Sequence, residues 1–197
     1  MVALSERGSM ILPVPLALFG ALPEQIVVGG APLVRKAELH MTVFNYAIGK
    51  LIKKAIVSQP RLETAINQEA DSFDFHLAPA ATLYHLVNDT PGKPPLQTVV
   101  QAVDATIASF YHATREIIGE DAAEAPELRA LLDALHTPPP PHVTLYTSDP
   151  KGVQGIGLNT VAELDAALAL AETPAGPPRL RAYRLQSDVV RGTTAAP

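Results

Sequence analysis

Two stretches decide the fold that we predict for this chain: ELHMTVFN at residues 38–45 and HVTLY at residues 142–146. Both are rich in residues that favour β-strands. Because successive side chains of a strand point to opposite faces, each stretch has an apolar face for packing against a helix. The other face of each stretch carries a histidine and a threonine two positions apart. These polar pairs are His40 with Thr42 and His142 with Thr144.

The rest of the chain alternates between helix and strand signals. Apolar spacing predicts helices over residues 47–57, 62–66, 105–118, 126–135 and 160–170. Strand signals lie at residues 12–18, 73–77, 81–87, 96–102 and 180–185, with the second and third forming a hairpin across residues 78–80. The order indicates an α+β or mixed α/β layout, of which we favour α+β. A strand bearing His-x-Thr followed by a helix occurs twice.

Length and composition limit the possible classes of protein. The chain has 197 residues, of which 47% are hydrophobic, so we expect a single domain, with residues 1–9 and 191–197 flexible. The net charge of −5 argues against wrapping long nucleic acid, which needs a basic surface. The absence of cysteine excludes disulfides, thiol nucleophiles and cysteine metal sites.

The apolar stretch at residues 10–22 resembles the core of a signal peptide. Pro13 and Pro15 interrupt it and no clear cleavage site follows, so we do not expect secretion. No stretch is long enough to predict a membrane-spanning helix. We therefore expect a cytoplasmic monomer without membrane contacts.

The polar faces of the two strands predict an acid–base site. A buried histidine and threonine need bonding partners, and a bound phosphate would supply them. A neutral imidazole would activate the attacking hydroxyl or water, and a protonated imidazole would give a proton to the leaving oxygen. The threonine hydroxyls would hold the phosphoryl oxygens.

Rival chemistries lack their motifs. Neither H-E-x-x-H nor a His-x-His pair occurs, which disfavours catalysis by a metal. No G-x-S-x-G is present, which disfavours a serine hydrolase. The glycines at 152, 155 and 157 form a loop, but no phosphate-loop lysine follows them.

With its two H-x-T-apolar motifs, the chain resembles the 2H phosphoesterase superfamily, which includes cyclic phosphodiesterases and RNA 2′,5′-ligase-like proteins. The resemblance is strongest over residues 37–45 and 141–159. It implies two pseudo-symmetric lobes, each a mainly antiparallel sheet flanked by helices, with a central groove. It further implies cofactor-free and metal-free cleavage of 2′,3′-cyclic or 2′,5′-linked phosphates of nucleotides or RNA ends. His40 and His142 match the catalytic histidines, and Thr42 and Thr144 match the phosphate-holding hydroxyls.

Neighbouring side chains have alternative interpretations. Strand alternation would place Phe44 and Tyr146 on the polar faces, two positions beyond each threonine. We nevertheless interpret Phe44 as a core residue. For Tyr146 we keep two alternatives, a core residue and an aromatic wall on which a substrate base could stack. Tyr84 is a second candidate for the wall, although an ordinary strand position is the better interpretation. We interpret Arg35 and Lys36 as solvated loop charges, the alternative being a cation that reaches the phosphate.

Two further functions stay open. The same groove would suit a binding module that captures a nucleotide or an RNA end without turnover. A ligase that runs the reaction in reverse is the third possibility.

Overall fold

A computed structural model of the chain describes residues 2–90, 92, 94–119, 125–171 and 180–191. It confirms the α+β class: eight strands form one antiparallel sheet, and helices pack on both of its faces. The strands are β1 (Met10–Pro13), β2 (Gln25–Val28), β3 (Ala31–Arg35), β4 (His40–Phe44), β5 (Leu77–Asn88), β6 (Leu96–Ala105), β7 (His142–Thr147) and β8 (Leu180–Leu185).

The helices agree closely with the apolar spacing. They are α1 (Tyr46–Ser58), α2 (Leu62–Ser72), α3 (Ile107–Ile118), α4 (Pro126–Ala134), α5 (Val161–Ala171) and the short α6 (Asp188–Arg191), with a 3-10 turn at Leu16–Phe19. Asn45 caps α1 by accepting a hydrogen bond of 3.0 Å from the Ile48 amide. Thr160 does the same for α5 by accepting from the Glu163 amide at 3.0 Å.

The strand order along the sheet is β1-β4-β7-β6-β5-β8, and the β2–β3 hairpin joins it through β7. The two His-x-Thr strands are therefore direct neighbours at the centre. All described strands belong to one continuous sheet, so the structure does not confirm the two pseudo-symmetric lobes.

The two faces of the sheet are covered differently. Helices α1 to α4 pack over one face and enclose the main core. Phe44 of β4 lies in this core, with its ring centre 5.5 Å from that of Phe110 and 5.3 Å from that of Tyr111. On the other face, α5 covers a smaller apolar cluster on the β5, β6 and β8 side, through Leu164 and Ala167. That second face is left more open over β4 and β7.

A bulge interrupts β4 at the last residue of its motif. Ile11 of β1 pairs with Thr42 and Met10 pairs with Phe44, so Val43 is an extra residue with no partner in β1. The extra residue shifts the alternation of side chains by one position. The Phe44 side chain therefore points into the main core, as Met10 does, and not onto the open face with Thr42.

The same irregularity occurs at the equivalent position of β7. Val100 of β6 pairs with Thr144 and Val99 pairs with Tyr146, so Leu145 is the extra residue. Tyr146 and Val99 both lie in the main core, whereas Val100 lies in the smaller cluster on the opposite face. The two motif strands thus have the same local arrangement. The histidine and threonine of each motif lie on the open face, and a bulge occurs at the fourth residue of the motif.

Other predicted elements need correction. Residues 73–76 are not part of a strand, and β5 begins only at Leu77. Phe73 and Phe75 instead pack together against Phe110, with ring centres about 5 Å apart. The predicted hairpin across residues 78–80 is a single strand, β5, with an irregularity between Pro79 and Leu83. The strand predicted over residues 12–18 ends at Pro13.

The chain termini fall partly outside the description. Met1 and residues 192–197 lie outside the described residues, so their predicted flexibility stays a prediction. The segment before β1 is held by contacts: the Leu4 amide donates to the Asn67 side chain at 2.8 Å, and Gly8 packs against Gly49 of α1. Among the described helices, none combines the length and the apolar character needed to cross a membrane.

Candidate active site

The four motif side chains lie next to each other on the open face. Met41 of β4 pairs with Val143 of β7 in antiparallel register, so the second residues of the two motifs face each other. By continuation of that register, His40 lies beside Thr144, and Thr42 lies beside His142. All four line one cavity of about 250 Å³, whose other walls are Lys36, Val153, Gly155, Ile156 and Gly157.

His142 is held in a defined orientation. Its Nδ1 atom lies 2.7 Å from the carbonyl oxygen of Pro140, which can only accept, so Nδ1 carries a proton. The other ring nitrogen, Nε2, accepts a long hydrogen bond of 3.4 Å from the Leu158 amide. The proline run at residues 138–141 thus fixes the tautomer, a role that the sequence interpretation did not foresee.

Burial lowers the pKa of His142 below its ordinary value, and the nearby His40 lowers it further. The Pro140 carbonyl and, more weakly, Glu163 act in the opposite direction. Only 8% of the His142 surface is exposed. His142 is therefore mainly neutral at pH 7, and Nε2, which the Leu158 amide contacts at 3.4 Å, is its unprotonated nitrogen.

His40 is less buried than His142. Burial is again the main cause that lowers its pKa, followed by the positive charge of Lys36, while Glu38 raises it. Both histidines are thus neutral when no anion is present. A bound anion beside His40 would favour its charged form and raise this pKa.

Lys36 lines the site, contrary to the interpretation that the sequence favoured. We interpreted it as a solvated loop charge, but its side chain is 8% exposed and lines the cavity with both histidines. Its Nζ donates to the carbonyl oxygen of Val153. Burial lowers its pKa, against the opposing effects of Asp149 and Glu38. The only sequence signal was its position four residues before His40.

The glycine-containing loop after β7 forms the roof of the cavity. The Asp149 carboxylate accepts hydrogen bonds from the amides of Val153 (3.0 Å) and Gln154 (2.7 Å), which fixes the turn. Gly155 lies directly over Thr144: a Cβ atom there would be 3.4 Å from the threonine methyl group and 3.6 Å from its hydroxyl. A side chain larger than alanine at residue 155 would fill the space beside this hydroxyl.

Neither predicted wall residue lines the cavity. Tyr146 is fully buried because the bulge turns it into the main core, where its hydroxyl donates to the Pro23 carbonyl at 3.0 Å. Tyr84 lies on the same face as Thr144, but β6 separates the two strands, and Tyr84 packs against the cluster under α5. The structure therefore does not support a role as substrate wall for either tyrosine.

A larger cleft of about 530 Å³ adjoins the cavity and shares Lys36 and His40 with it. Its apolar wall comes from β1, whose Ile11 lies beside Thr42 and whose Pro13 lies beside His40. Ile11 is 45% exposed, which leaves an apolar surface next to the motif residues. The site therefore consists of a small polar cavity and a wider, partly apolar cleft.

None of the other four histidines, His76, His85, His112 and His136, lines the cavity or the cleft. His85 is buried elsewhere, with its Nε2 atom 2.8 Å from the Gln97 side chain, and His112 lies on the surface beside Glu116. Within the described part of the chain, no group of three or more His, Asp or Glu side chains could hold a metal ion.

Comparisons of the chain with protein-family models, with curated proteins and with solved structures give no match. The functional argument therefore rests on the motifs and on the geometry of the cavity.

Proposed function

We propose that the chain is a metal-independent phosphodiesterase that acts on 2′,3′-cyclic or 2′,5′-linked phosphates of nucleotides or RNA ends. One observation carries the proposal: the histidine and threonine of two motifs that lie 102 positions apart in sequence all line the same small cavity. A histidine pair around one phosphate can supply both the general base and the general acid for a reaction at phosphorus. The resemblance to the 2H phosphoesterases points to the same reaction.

The roles of the two histidines follow from their surroundings. His142 is the base, because Nδ1 is bound to the Pro140 carbonyl and Nε2 is the unprotonated nitrogen. The long contact of 3.4 Å between Nε2 and the Leu158 amide is given up when Nε2 takes the proton of the attacking water. His40 is the acid, because it is less buried than His142, and an anion bound beside it would raise its pKa. Thr42 and Thr144 donate their hydroxyl hydrogens to the non-bridging phosphate oxygens.

For a cyclic phosphate the step balances as follows. The oxygen of water forms a new bond to phosphorus while the bond to one ribose oxygen breaks. The proton of the water goes to His142, and His40 gives its proton to the leaving ribose oxygen, so the product is an acyclic phosphomonoester. Each proton transfer contributes roughly 10²- to 10⁴-fold to the rate.

The proposal is tested by incubating the chain with 2′,3′-cyclic nucleotides and 2′,5′-linked dinucleotides in EDTA and following the products by ³¹P NMR. We expect conversion of at least one of these classes, and 3′,5′-linked dinucleotides serve as the comparison. Tight binding without any product over a long incubation would instead support the binding module.

A further inference from the structure

Lys36 carries a buried positive charge that has no acidic partner. Its ammonium donates to a single backbone carbonyl, that of Val153, although it has three N–H groups to offer. None of the ion pairs among the described residues includes it. Asp149 and Glu38 act on it only through their longer-range charge.

Such an arrangement is costly for the protein alone. Taking an ammonium out of water is unfavourable unless an opposite charge and further hydrogen bonds replace the lost hydration. One neutral carbonyl supplies only part of that compensation. An anion in the adjoining cavity would supply the rest, because Lys36 lines this cavity together with His40, His142 and both threonines.

We propose that Lys36 is the phosphate-binding cation of the cavity and that its remaining N–H groups donate to a non-bridging oxygen of a singly charged phosphodiester. This proposal rests on the proposed function and names the charge class of its substrate. The neighbouring Arg35 is not equivalent, because its guanidinium donates to the Leu22 carbonyl at 2.6 Å and it lines only the wider cleft.

The charge balance of the cavity favours a diester. With both histidines neutral, Lys36 supplies one positive charge, and a phosphodiester brings one negative charge. When water attacks, a second negative charge develops on the phosphoryl oxygens. By then His40 has taken up a proton from solvent in response to the bound anion. Its charge and that of Lys36 together match the two negative charges, so the transition state is bound more tightly than the substrate.

The test measures the binding of dimethyl phosphate, a singly charged diester that is stable in solution, and of inorganic phosphate. Three variants are compared with the wild type: Lys36→Met, which removes the charge; Lys36→Arg, which keeps it; and Lys151→Met, which removes an exposed lysine from the same loop region. Affinities come from calorimetric titration, and thermal unfolding midpoints are measured without anion.

We expect Lys36→Met to weaken dimethyl phosphate binding about tenfold or more, as the loss of a charge-assisted hydrogen bond implies. We also expect Lys36→Arg to stay within about threefold of the wild type, because the charge is kept, and Lys151→Met to bind as the wild type. The unfolding midpoint of Lys36→Met should be unchanged or higher, since a buried unpaired charge has gone.

Two results would overturn the proposal. The first is a Lys36→Met variant that binds dimethyl phosphate as the wild type does, with a lower midpoint, which would make Lys36 only an anchor of the Val153 loop. The second is an equal loss of affinity in Lys36→Arg, which would show that the charge is not what matters. Neither readout depends on turnover, so a failure of the proposed hydrolysis remains distinguishable from a failure of this proposal.

Discussion

At the scale of single residues, the site depends on contacts that hold each side chain in one chemical state. The Pro140 carbonyl fixes the His142 tautomer, and burial together with the charge of Lys36 lowers the pKa of His40. The motif spacing predicted the two histidines and two threonines. It did not predict the role of Pro140, and it left Lys36 as the less favoured alternative, because both depend on side-chain direction and burial, which a single sequence does not display.

The hydroxyl of Thr144 is expected to contribute to catalysis. Replacing it in Thr144→Val keeps the shape of the side chain and removes one donor to a charged phosphate oxygen. We expect kcat/KM for a 2′,3′-cyclic nucleotide to fall about tenfold to a hundredfold, since a hydrogen bond to a charged group contributes about 1.5–3 kcal/mol.

A second threonine provides the control for this variant. Thr98 is fully buried, and its hydroxyl oxygen has no hydrogen-bond partner among the described residues. Thr98→Val should keep full activity and raise the unfolding midpoint, because it removes an unsatisfied polar group. Equal activities of Thr144→Val and the wild type would remove Thr144 from the catalytic machinery.

At the scale of elements, the bulges decide which side chains reach the site. Strand periodicity predicted β4, β7 and their apolar backs, and helical spacing predicted α1, α3 and α4. Alternation alone would put Phe44 and Tyr146 on the open face, but one extra residue in each strand turns both side chains into the main core. This confirms the interpretation of Phe44 as core and decides the open question for Tyr146. Strand periodicity failed at Phe73 and Phe75, whose alternation reflects packing on Phe110 rather than strand pairing.

The contact between α1 and the segment before β1 makes a prediction of its own. Gly49 lies inside α1, where alanine would normally stabilise the helix by about 0.5–1 kcal/mol. A Cβ atom there would lie 2.8 Å from backbone atoms of Arg7, Gly8 and Ser9. Overpacking of this kind costs about 1–3 kcal/mol, so Gly49→Ala should lower the free energy of unfolding.

Chemical denaturation of Gly49→Ala measures this effect directly. The matched control is Gly157→Ala in the loop, where nothing lies within 4 Å of an added Cβ atom. A Gly49→Ala variant more stable than the wild type would mean that residues 7–9 do not pack on α1 in solution.

At the scale of the whole molecule, one sheet serves two purposes. Its helix-covered face holds the main core, and its other face presents the motif residues beside the cluster under α5. Because β4 and β7 are neighbours at the centre, sheet pairing alone brings the two distant motifs together. The fold class was predictable from the order of elements. The single continuous sheet was not, because strand order depends on long-range pairing.

The buried histidines predict how stability depends on pH. Burial holds the pKa values of His40, His85 and His142 below 6.5 in the folded chain, whereas the unfolded chain takes up protons near 6.5. The unfolded state therefore binds more protons as the pH falls below about 6.5, and the free energy of unfolding decreases there. Above that pH these histidines do not make the free energy of unfolding depend on pH.

Thermal unfolding between pH 8 and pH 5 tests this behaviour. We expect a level midpoint above about pH 7 and a falling midpoint below about 6.5. The carboxyl groups of Glu127 and Asp149, whose pKa values are also lowered, act in the same direction only below about pH 4.5. A midpoint that rises between pH 7 and pH 5 would contradict the buried, neutral state of the histidines.

The most direct test of the central claim is the rate of opening of 2′,3′-cyclic nucleotides, measured in EDTA for the wild type and for His40→Ala, His142→Ala and the surface control His112→Ala. We predict that the wild type and His112→Ala turn over equally. We also predict that each cavity variant loses at least about 10²-fold in kcat and still unfolds cooperatively. Cavity variants that fold and keep the wild-type rate would contradict the claim that the two histidines form one catalytic site.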